Sequence, residues 1–468
     1  MSARSRGCFV TSMSQVAVYE QQNLPVTQPG TQDSHYYTNI FLSTSLGTLL
    51  HLSIRITSAS HLRITFTGIM ISLPSDFGMA AAAYAVSHLI PSIILGFTGR
   101  SSPARPAAFV SMIALAISLQ NIVTPWANDR VLSTMFSVFT WLNVFTALDL
   151  FFYTNATYSE HVHWLRGRNV DLVPTLKHRI NWALQMPINY RRVGTKWQIS
   201  QIPPFDPEKP GFIPSRTTFL LYRLLETVLV LGTSSYFWAN PITSDVRIHF
   251  TEEQQKVILN EYDLSIRALP SRIYLVASYI ITVFTGQTAQ YAAASILPVL
   301  LRFSDPQDWP VIQGPVSGSW SVRRLWGSTW HQCCRQLLSA NADFVTFSVL
   351  GLNPRTVLTR YTRYFLCFFQ SGAMHVLFDQ GSGITPAQTG ALLFFTIQPI
   401  AFGIEELAQW LSKRYNILTE DGPLRRLIAY VWVAAWCTLT WPIWVFPQFR
   451  NMLAMGMSVT FIHLNTLI

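Results

Sequence analysis

Nine apolar stretches of about twenty residues constrain this chain more than any other feature of its sequence. A helix needs roughly 20 residues to cross about 30 Å of hydrocarbon, and inside that layer it satisfies its own backbone hydrogen bonds. These stretches predict an all-α polytopic integral membrane protein with about eight to nine transmembrane helices. The candidate spans are 77–99, 107–124, 131–153, 217–238, 271–302, 357–379, 388–410, 427–447 and 449–466.

The composition agrees with a membrane environment. Half of the 468 residues are hydrophobic and only 12% are charged, whereas soluble domains average about 25% charged residues. The formal charge of +10 raises the question of nucleic acid. The basic residues, however, fall in the connections between apolar stretches and form no separate basic domain. We therefore expect membrane lipid, and no nucleic acid, as a partner.

The chain divides into two regions by composition. Residues 1–76 are polar at first and then weakly apolar, and we treat them as a poorly defined N-terminal extension. Within them, the stretch HLRITFTGIMISL at 61–73 alternates in the manner of a strand. Residues 77–466 contain every candidate span and are predicted to form the transmembrane domain.

The distribution of charge predicts the orientation in the membrane. Loop 154–216 carries nine basic and four acidic residues, and basic loops remain on the cytosolic side. Alternation of the spans then places 303–356 on the same side. The Trp- and Arg-containing segment near 321–340 is predicted to be an amphipathic helix at the cytosolic interface.

One histidine lies within an apolar, aromatic segment, FFQSGAMHVLFD at 368–379. On a helix, Ser371, Gly372, His375 and Asp379 lie on one stripe, because residues three and four apart share a face. Small residues beside His375 would let another helix or a ligand approach closely. An ionisable group at membrane depth indicates function, although a buried histidine bonded to a carbonyl group explains the pattern equally well.

A second group of polar residues precedes this segment, in WGSTWHQCCRQLL at 326–338. If the segment is helical, His331 and Arg335 are one turn apart and follow Trp326 and Trp330 by one turn. An interfacial helix explains the tryptophans and the arginine but not His331. The spacing of His331 to Cys333 and Cys334 does not match a closed zinc site, and we expect no metal.

Together these segments resemble the wax synthase-like membrane-bound O-acyltransferases, most closely the fungal branch that acts in terpenoid and meroterpenoid biosynthesis. The resemblance is strongest over 320–380 and looser over 77–466. Many members of the superfamily have Asn or Asp where this chain has His331. The matching residues are Trp326, Gly327, Trp330, His331, Gln332, Arg335, Arg360, Tyr361, Phe368, Ser371, Gly372 and His375.

The resemblance implies an O-acetyltransferase of the endoplasmic reticulum. Acetyl-CoA would be the co-substrate, with no permanently bound cofactor, and the acceptor a hydroxyl of a lipophilic terpenoid. His375 would be the general base, since an imidazole titrates near neutral pH. His331 or Gln332 would donate to the oxyanion, and Arg335 would bind the donor. Ser371 and Asp379 would support the site, with Asp379 orienting the ring of His375 or lying exposed at the helix end.

Other functions remain open from the sequence. Wax synthases, which esterify long-chain fatty alcohols, belong to the same superfamily. A proton-coupled secondary transporter would use His375 and Asp379 as a proton relay. A non-catalytic scaffold would require neither histidine. A transporter has no need of the His331 segment, which favours the acyltransferase.

Overall fold

The structure is a computed structural model. It describes residues 36–43, 49–57, 61–66, 69–126, 129–169, 173–200, 202–238, 250–255, 268–417 and 422–454. The chain separates into two compact units, Met1–Tyr84 and Ala85–Ile468. Part of the predicted span 449–466 lies outside the described residues.

The first unit contains a four-stranded antiparallel meander in the order β1-β2-β3-β4. The strands are β1 (Tyr36–Ser43), β2 (Leu49–Thr57), β3 (His61–Phe66) and β4 (Ile69–Leu73). The last two confirm the strand predicted from the alternation at 61–73. The all-α prediction is thus correct for the described residues after 76 and wrong for this segment.

The remaining described elements are helical. They include α1 (Phe77–Phe97), α2 (Ala104–Val123), α3 (Arg130–Leu148), α4 (Tyr158–Arg166), α5 (Leu176–Gln185), α6 (Arg216–Trp238), α7 (Ala268–Leu300), α8 (Val322–Arg324), α9 (Arg335–Asp343), α10 (Val357–Gly381), α11 (Ala391–Thr396), α12 (Gln398–Tyr415), α13 (Pro423–Thr440) and α14 (Pro442–Ala454). Short π-helices follow α3, α8 and α9, at Asp149–Tyr153, Leu325–Thr329 and Phe344–Val349.

Five of the described helical segments are long and apolar enough to cross a membrane, or six if α13 and α14 form one bent span. These two helices meet at 52° beside Pro442, which has no N–H with which to continue the preceding helix. The bend falls inside the predicted span 427–447, and the predicted span 449–466 is described only as far as residue 454. Exposed leucines and valines cover the outer faces of the helices, as lipid-facing surfaces require. The structure therefore supports an integral membrane protein.

Two large hydrophobic clusters of described residues organise the second unit. One joins α1 to α5 and contains Leu95, Leu150 and Trp182. The other joins α7, α8 and α10 to α14, and its centre is aromatic, with Phe394 and Trp441 almost completely buried. Helix α10 also packs against α3 and α9, through residues that include Met374. His375 consequently lies on a helix with neighbours on several sides.

Candidate active site

The ring of His375 is held in one orientation by three neighbours. Its Nδ1 lies 2.7 Å from the carbonyl oxygen of Ser371, one helical turn earlier. The ring stacks on Phe395 with centroids 4.4 Å apart and meets Trp444 edge-on at 4.8 Å. Because a carbonyl oxygen only accepts hydrogen bonds, Nδ1 carries a proton. In the neutral ring, Nε2 therefore has the free lone pair.

Gly372 allows α11 to approach α10 closely beside His375. A Cβ atom at this position would lie 2.9 Å from the Cα atom of Leu392 and 3.3 Å from the carbonyl oxygen of Ala391. No side chain fits without a shift of this backbone. The predicted role of a small residue, close approach of a neighbouring helix, is therefore confirmed for Gly372.

Asp379 does not contact the ring of His375, contrary to one prediction, and it is not exposed, contrary to the other. Only 5% of it is accessible, and its carboxylate accepts hydrogen bonds from Thr389, Gln448 and the indole Nε1 of Trp444. Nδ1 of His375 bonds to the nearer backbone carbonyl instead. Asp379 is thus connected to His375 only indirectly, through Trp444, which donates to Asp379 and contacts the ring of His375.

The continuous amphipathic helix predicted near 321–340 is not present. After α8, the chain forms a π-helix at Leu325–Thr329 and becomes extended at Trp330, with φ −63° and ψ 149°. Helix α9 begins only at Arg335. His331 therefore lies in a non-helical break, which we call the His331 break (residues 330–334). Its position relative to Arg335 is not the single helical turn that the spacing predicted.

Side chains from within the segment bind the backbone groups that the break leaves without helical partners. The amide Nε2 of Gln332, a residue only 2% exposed, donates to the carbonyl oxygens of Trp330 and Trp326. Arg335 donates from Nη1 to the carbonyl oxygen of Gly327 and to Oε1 of Gln332, 2.8 Å away. Buried backbone groups require such partners. The amide protons of Gln332 are therefore already in use.

Helix α12 holds the start of this segment through Glu405. Its buried carboxylate accepts a hydrogen bond from the backbone N–H of Val322 at 2.6 Å and a longer one from that of Arg323. It also accepts from the indole Nε1 of Trp432 at 3.0 Å. A carboxylate suits the N-terminus of α8, where N–H groups lack helical partners. No pattern in the sequence connects Glu405 with the segment that contains His331.

The two histidine-bearing segments share one aromatic cluster. Trp326 donates from Nε1 to Oε1 of Gln398, a residue with no exposed surface, and its ring centroid lies 5.9 Å from that of Phe395. Phe395 also stacks on His375. Burial, and secondarily the charge of His375, lowers the pKa of His331 to about 4. The fold thus brings the segments of His331 and His375 onto one aromatic cluster, which spacing alone did not show.

Several residues of the cluster were not predicted from the sequence. Trp441 stacks on Trp326 at 6.0 Å, Trp444 contacts His375, and Gln398 accepts from both Trp326 and Trp436. The only indication of these residues in the sequence is the tryptophan-rich stretch WVAAWCTLTWPIW at 432–444. By its hydrophobic pattern alone, this stretch is predicted to be an ordinary lipid-exposed helix. The aromatic centre depends on contacts between segments distant in the chain.

Comparisons with known proteins identify a family for this part of the chain. Residues 309–397, which include the His331 break and His375, match the membrane bound O-acyl transferase family. No solved structure is detectably similar.

Three proteins named as acetyltransferases are similar over much longer stretches. The acetyltransferase eriL of Hericium erinaceus is 30% identical over 282 residues, which are 60% of this chain and 69% of that protein. The acetyltransferase aurG of Calcarisporium arbuscula is 29% identical, covering 61% and 69%. The acetyltransferase nanB of Aspergillus nanangensis is 28% identical, covering 80% and 90%.

These relationships remove support from the transporter and the scaffold interpretations. A family of acyltransferases uses an acyl donor, in general an acyl-CoA, and an alcohol acceptor. The chain belongs to the membrane bound O-acyl transferase family and is a membrane-embedded acyltransferase.

Proposed function

We propose that the protein transfers the acetyl group of acetyl-CoA to a hydroxyl of a lipophilic secondary metabolite, a terpenoid or meroterpenoid. The names of the similar proteins support acetyl as the acyl group. The observation that carries the chemistry is the geometry of His375. A protonated Nδ1 held by a carbonyl oxygen directs the Nε2 lone pair away from the backbone of its own helix. This is the state that a general base requires.

In the proposed reaction, Nε2 of His375 takes the proton of the acceptor hydroxyl as its oxygen attacks the thioester carbonyl. The new C–O bond forms a tetrahedral intermediate with a negative oxygen. Collapse of that intermediate breaks the C–S bond. The departing coenzyme A thiolate then takes the proton from the imidazolium of His375. The products are the ester and coenzyme A, and the ring returns to its starting tautomer.

His331 is our candidate for stabilising the negative oxygen. Its lowered pKa, about 4, keeps the ring neutral at pH 7, and a neutral imidazole has one N–H to donate. Gln332 is the weaker candidate, because its amide already donates to Trp326 and Trp330. Fixed donors directed at developing charge are among the largest contributions to catalysis. Arg335 would act by holding the His331 break in place, as a support to donor binding.

The protein would lie in the endoplasmic reticulum membrane with eight to nine spans and with the basic loop 154–216 in the cytosol. Acetyl-CoA, which is soluble in water, would arrive from that side. A terpenoid alcohol, which is large and mostly apolar, would enter from the bilayer. The extended apolar exterior of the helices supports access by such a substrate.

The direct test gives membranes that contain the protein a labelled acyl donor and an alcohol. Acetyl-CoA and palmitoyl-CoA are each paired with a polycyclic terpenoid secondary alcohol and with a long-chain fatty alcohol. We expect acetyl transfer to the terpenoid alcohol only. Transfer from palmitoyl-CoA to the fatty alcohol, with none from acetyl-CoA, would make the protein a wax synthase and would contradict the proposed substrates.

A further inference from the structure

A small polar cavity lies in the basic region that precedes α6. It has a volume of about 130 Å³, and α4, α5 and the turn after α5 form most of its wall. Asn181, Gln185 and Gly194 are exposed, so the cavity is open to the surface. Pockets for whole drug-sized ligands begin near 300 Å³. This cavity therefore fits only part of a larger molecule, such as one flat ring system.

Two amide side chains at the cavity have complementary groups without partners among the described residues. Oδ1 of Asn181 accepts from Nε2 of Gln185 at 2.9 Å. This leaves Nδ2 of Asn181 as a donor and Oε1 of Gln185 as an acceptor. A donor beside an acceptor matches the edge of adenine, where a ring nitrogen accepts and the amino group donates. In the DNA major groove, a single asparagine or glutamine binds adenine through the same kind of donor and acceptor pair.

The rest of the lining suits a neutral aromatic group. The rings of His161 and Trp182 stack at 5.7 Å, and both residues are more than nine-tenths buried. Nδ1 of His161 and Nε1 of Trp182 have no hydrogen-bond partner in the described structure. The pKa of His161 is lowered to about 4 by burial and then by His178, so the ring is neutral at pH 7.

Asp308 also lines the cavity, and a carboxylate there would repel the negative charge of a phosphate. Oδ2 of Asp308 accepts from the backbone N–H of Asp305, which leaves the other oxygen for a ligand donor. The exposed Lys177 precedes His178, another residue of the lining, and could bind a phosphate outside the cavity. The arrangement suits a base inside and its phosphate outside.

A short series of contacts connects the cavity with the His331 break. Arg191 lies in the turn that lines the cavity and donates to the carbonyl oxygens of Pro310 and Val311 and to the hydroxyl of Tyr291. A few residues later, the N–H of Gly314 donates to the carbonyl oxygen of Thr329 at 2.9 Å. Thr329 is two residues before His331. These contacts join the turn that lines the cavity to the segment that carries His331.

We infer that this cavity binds the adenine end of the coenzyme A donor, with Asn181 and Gln185 recognising the base. The inference rests on the proposed function and extends it. It assigns the adenosine part of the donor to a binding site that is separate from the reacting atoms. The pantetheine arm would then extend toward His331 and His375. The 3′-phosphate would remain near Lys177.

A truncated donor tests this inference. S-acetylpantetheine has the thioester and the arm but no adenosine part. In the double variant N181L/Q185L, we expect KM for acetyl-CoA to rise roughly tenfold, because two hydrogen bonds to the base are lost. We expect kcat to be unchanged and S-acetylpantetheine to react as with the wild type. Gln409→Leu, which replaces an exposed glutamine on α12, is the matched control.

A binding measurement separates this inference from the proposed reaction. Detergent-solubilised protein is titrated with adenosine 3′,5′-bisphosphate, which contains the base and phosphates but cannot be a donor. Binding that is roughly tenfold weaker in N181L/Q185L than in Q409L supports the site even if no acetyl transfer is found. Equal binding of adenosine 3′,5′-bisphosphate by the two variants would overturn the inference, and so would equal changes in KM for acetyl-CoA and S-acetylpantetheine. If the wild type still transfers acetyl groups, the proposed function stands in either case.

Discussion

The two segments that carry the candidate catalytic histidines are built in different ways. Helix α10 is continuous from Val357 to Gly381, and Nδ1 of His375 bonds to a carbonyl oxygen of its own helix. The His331 break is not helical. The side chain of Gln332 binds its backbone at Trp330, and Arg335 binds the side chain of Gln332 and the carbonyl oxygen of Gly327, just before the break. Local geometry therefore orients His375, whereas His331 depends on a set of hydrogen bonds that includes Glu405 on α12.

This difference predicts different results of mutation. A change at His375 removes a reacting group from an intact helix, so chemistry is lost and the fold is kept. A change at Gln332 leaves buried backbone groups without partners, so stability and activity fall together. The following measurements compare the two segments in this way.

The largest effect is expected at His375. His375→Ala should lower the rate of acyl transfer by roughly 10² to 10⁴, the usual contribution of a general base, while the amount of folded protein in the membrane stays constant. His163→Ala, at an exposed position of α4, should retain full activity as the control. Near-normal turnover by the His375 variant would remove it from the mechanism, and loss of folded protein would indicate a structural histidine.

A smaller effect on activity, together with a loss of stability, is expected at Gln332. Gln332→Ala removes the donor to the carbonyl oxygens of Trp326 and Trp330 and should cost roughly 1 to 3 kcal/mol of stability. The thermal unfolding midpoint in detergent measures this cost. Gln336→Ala, four residues further along the chain and on α9, is the control. If both variants unfold at the wild-type temperature, the hydrogen bonds of Gln332 do not hold the break.

The sequence predictions succeeded for the continuous helix α10 and failed for the His331 break. The length and the hydrophobic period of the apolar segments located the helices around His375, and the glycine at position 372 indicated close packing. Both features can be read within a single segment of the sequence. The break at Trp330 was not predictable. The residues from 321 to 340 are compatible with a continuous helix. The broken conformation is stabilised instead by residues far along the chain, such as Glu405 and Gln398. Likewise, the contact of Asp379 with Trp444 joins residues 65 positions apart.

The smallest effect concerns pH. The pKa of His331 is about 4 in the folded protein, below its ordinary value of 6.5, because of burial. The unfolded chain therefore binds more protons between these values, and stability falls as pH decreases from about 6.5 toward 4. His331→Gln should reduce the difference between the unfolding midpoints at pH 7 and pH 5. The same difference in both proteins would show that His331 is not held neutral by burial.

The central claim is that two segments with different structures form one catalytic site. A double-mutant cycle of acetyl transfer rates from labelled acetyl-CoA tests it most directly, with the wild type, His375→Ala, His331→Ala and the double variant. Residues that act together in one step are strongly non-additive. We predict that the double variant is about as slow as His375→Ala alone. If the rate reduction in the double variant equals the product of the two single reductions, the histidines act independently, and this result would contradict the account.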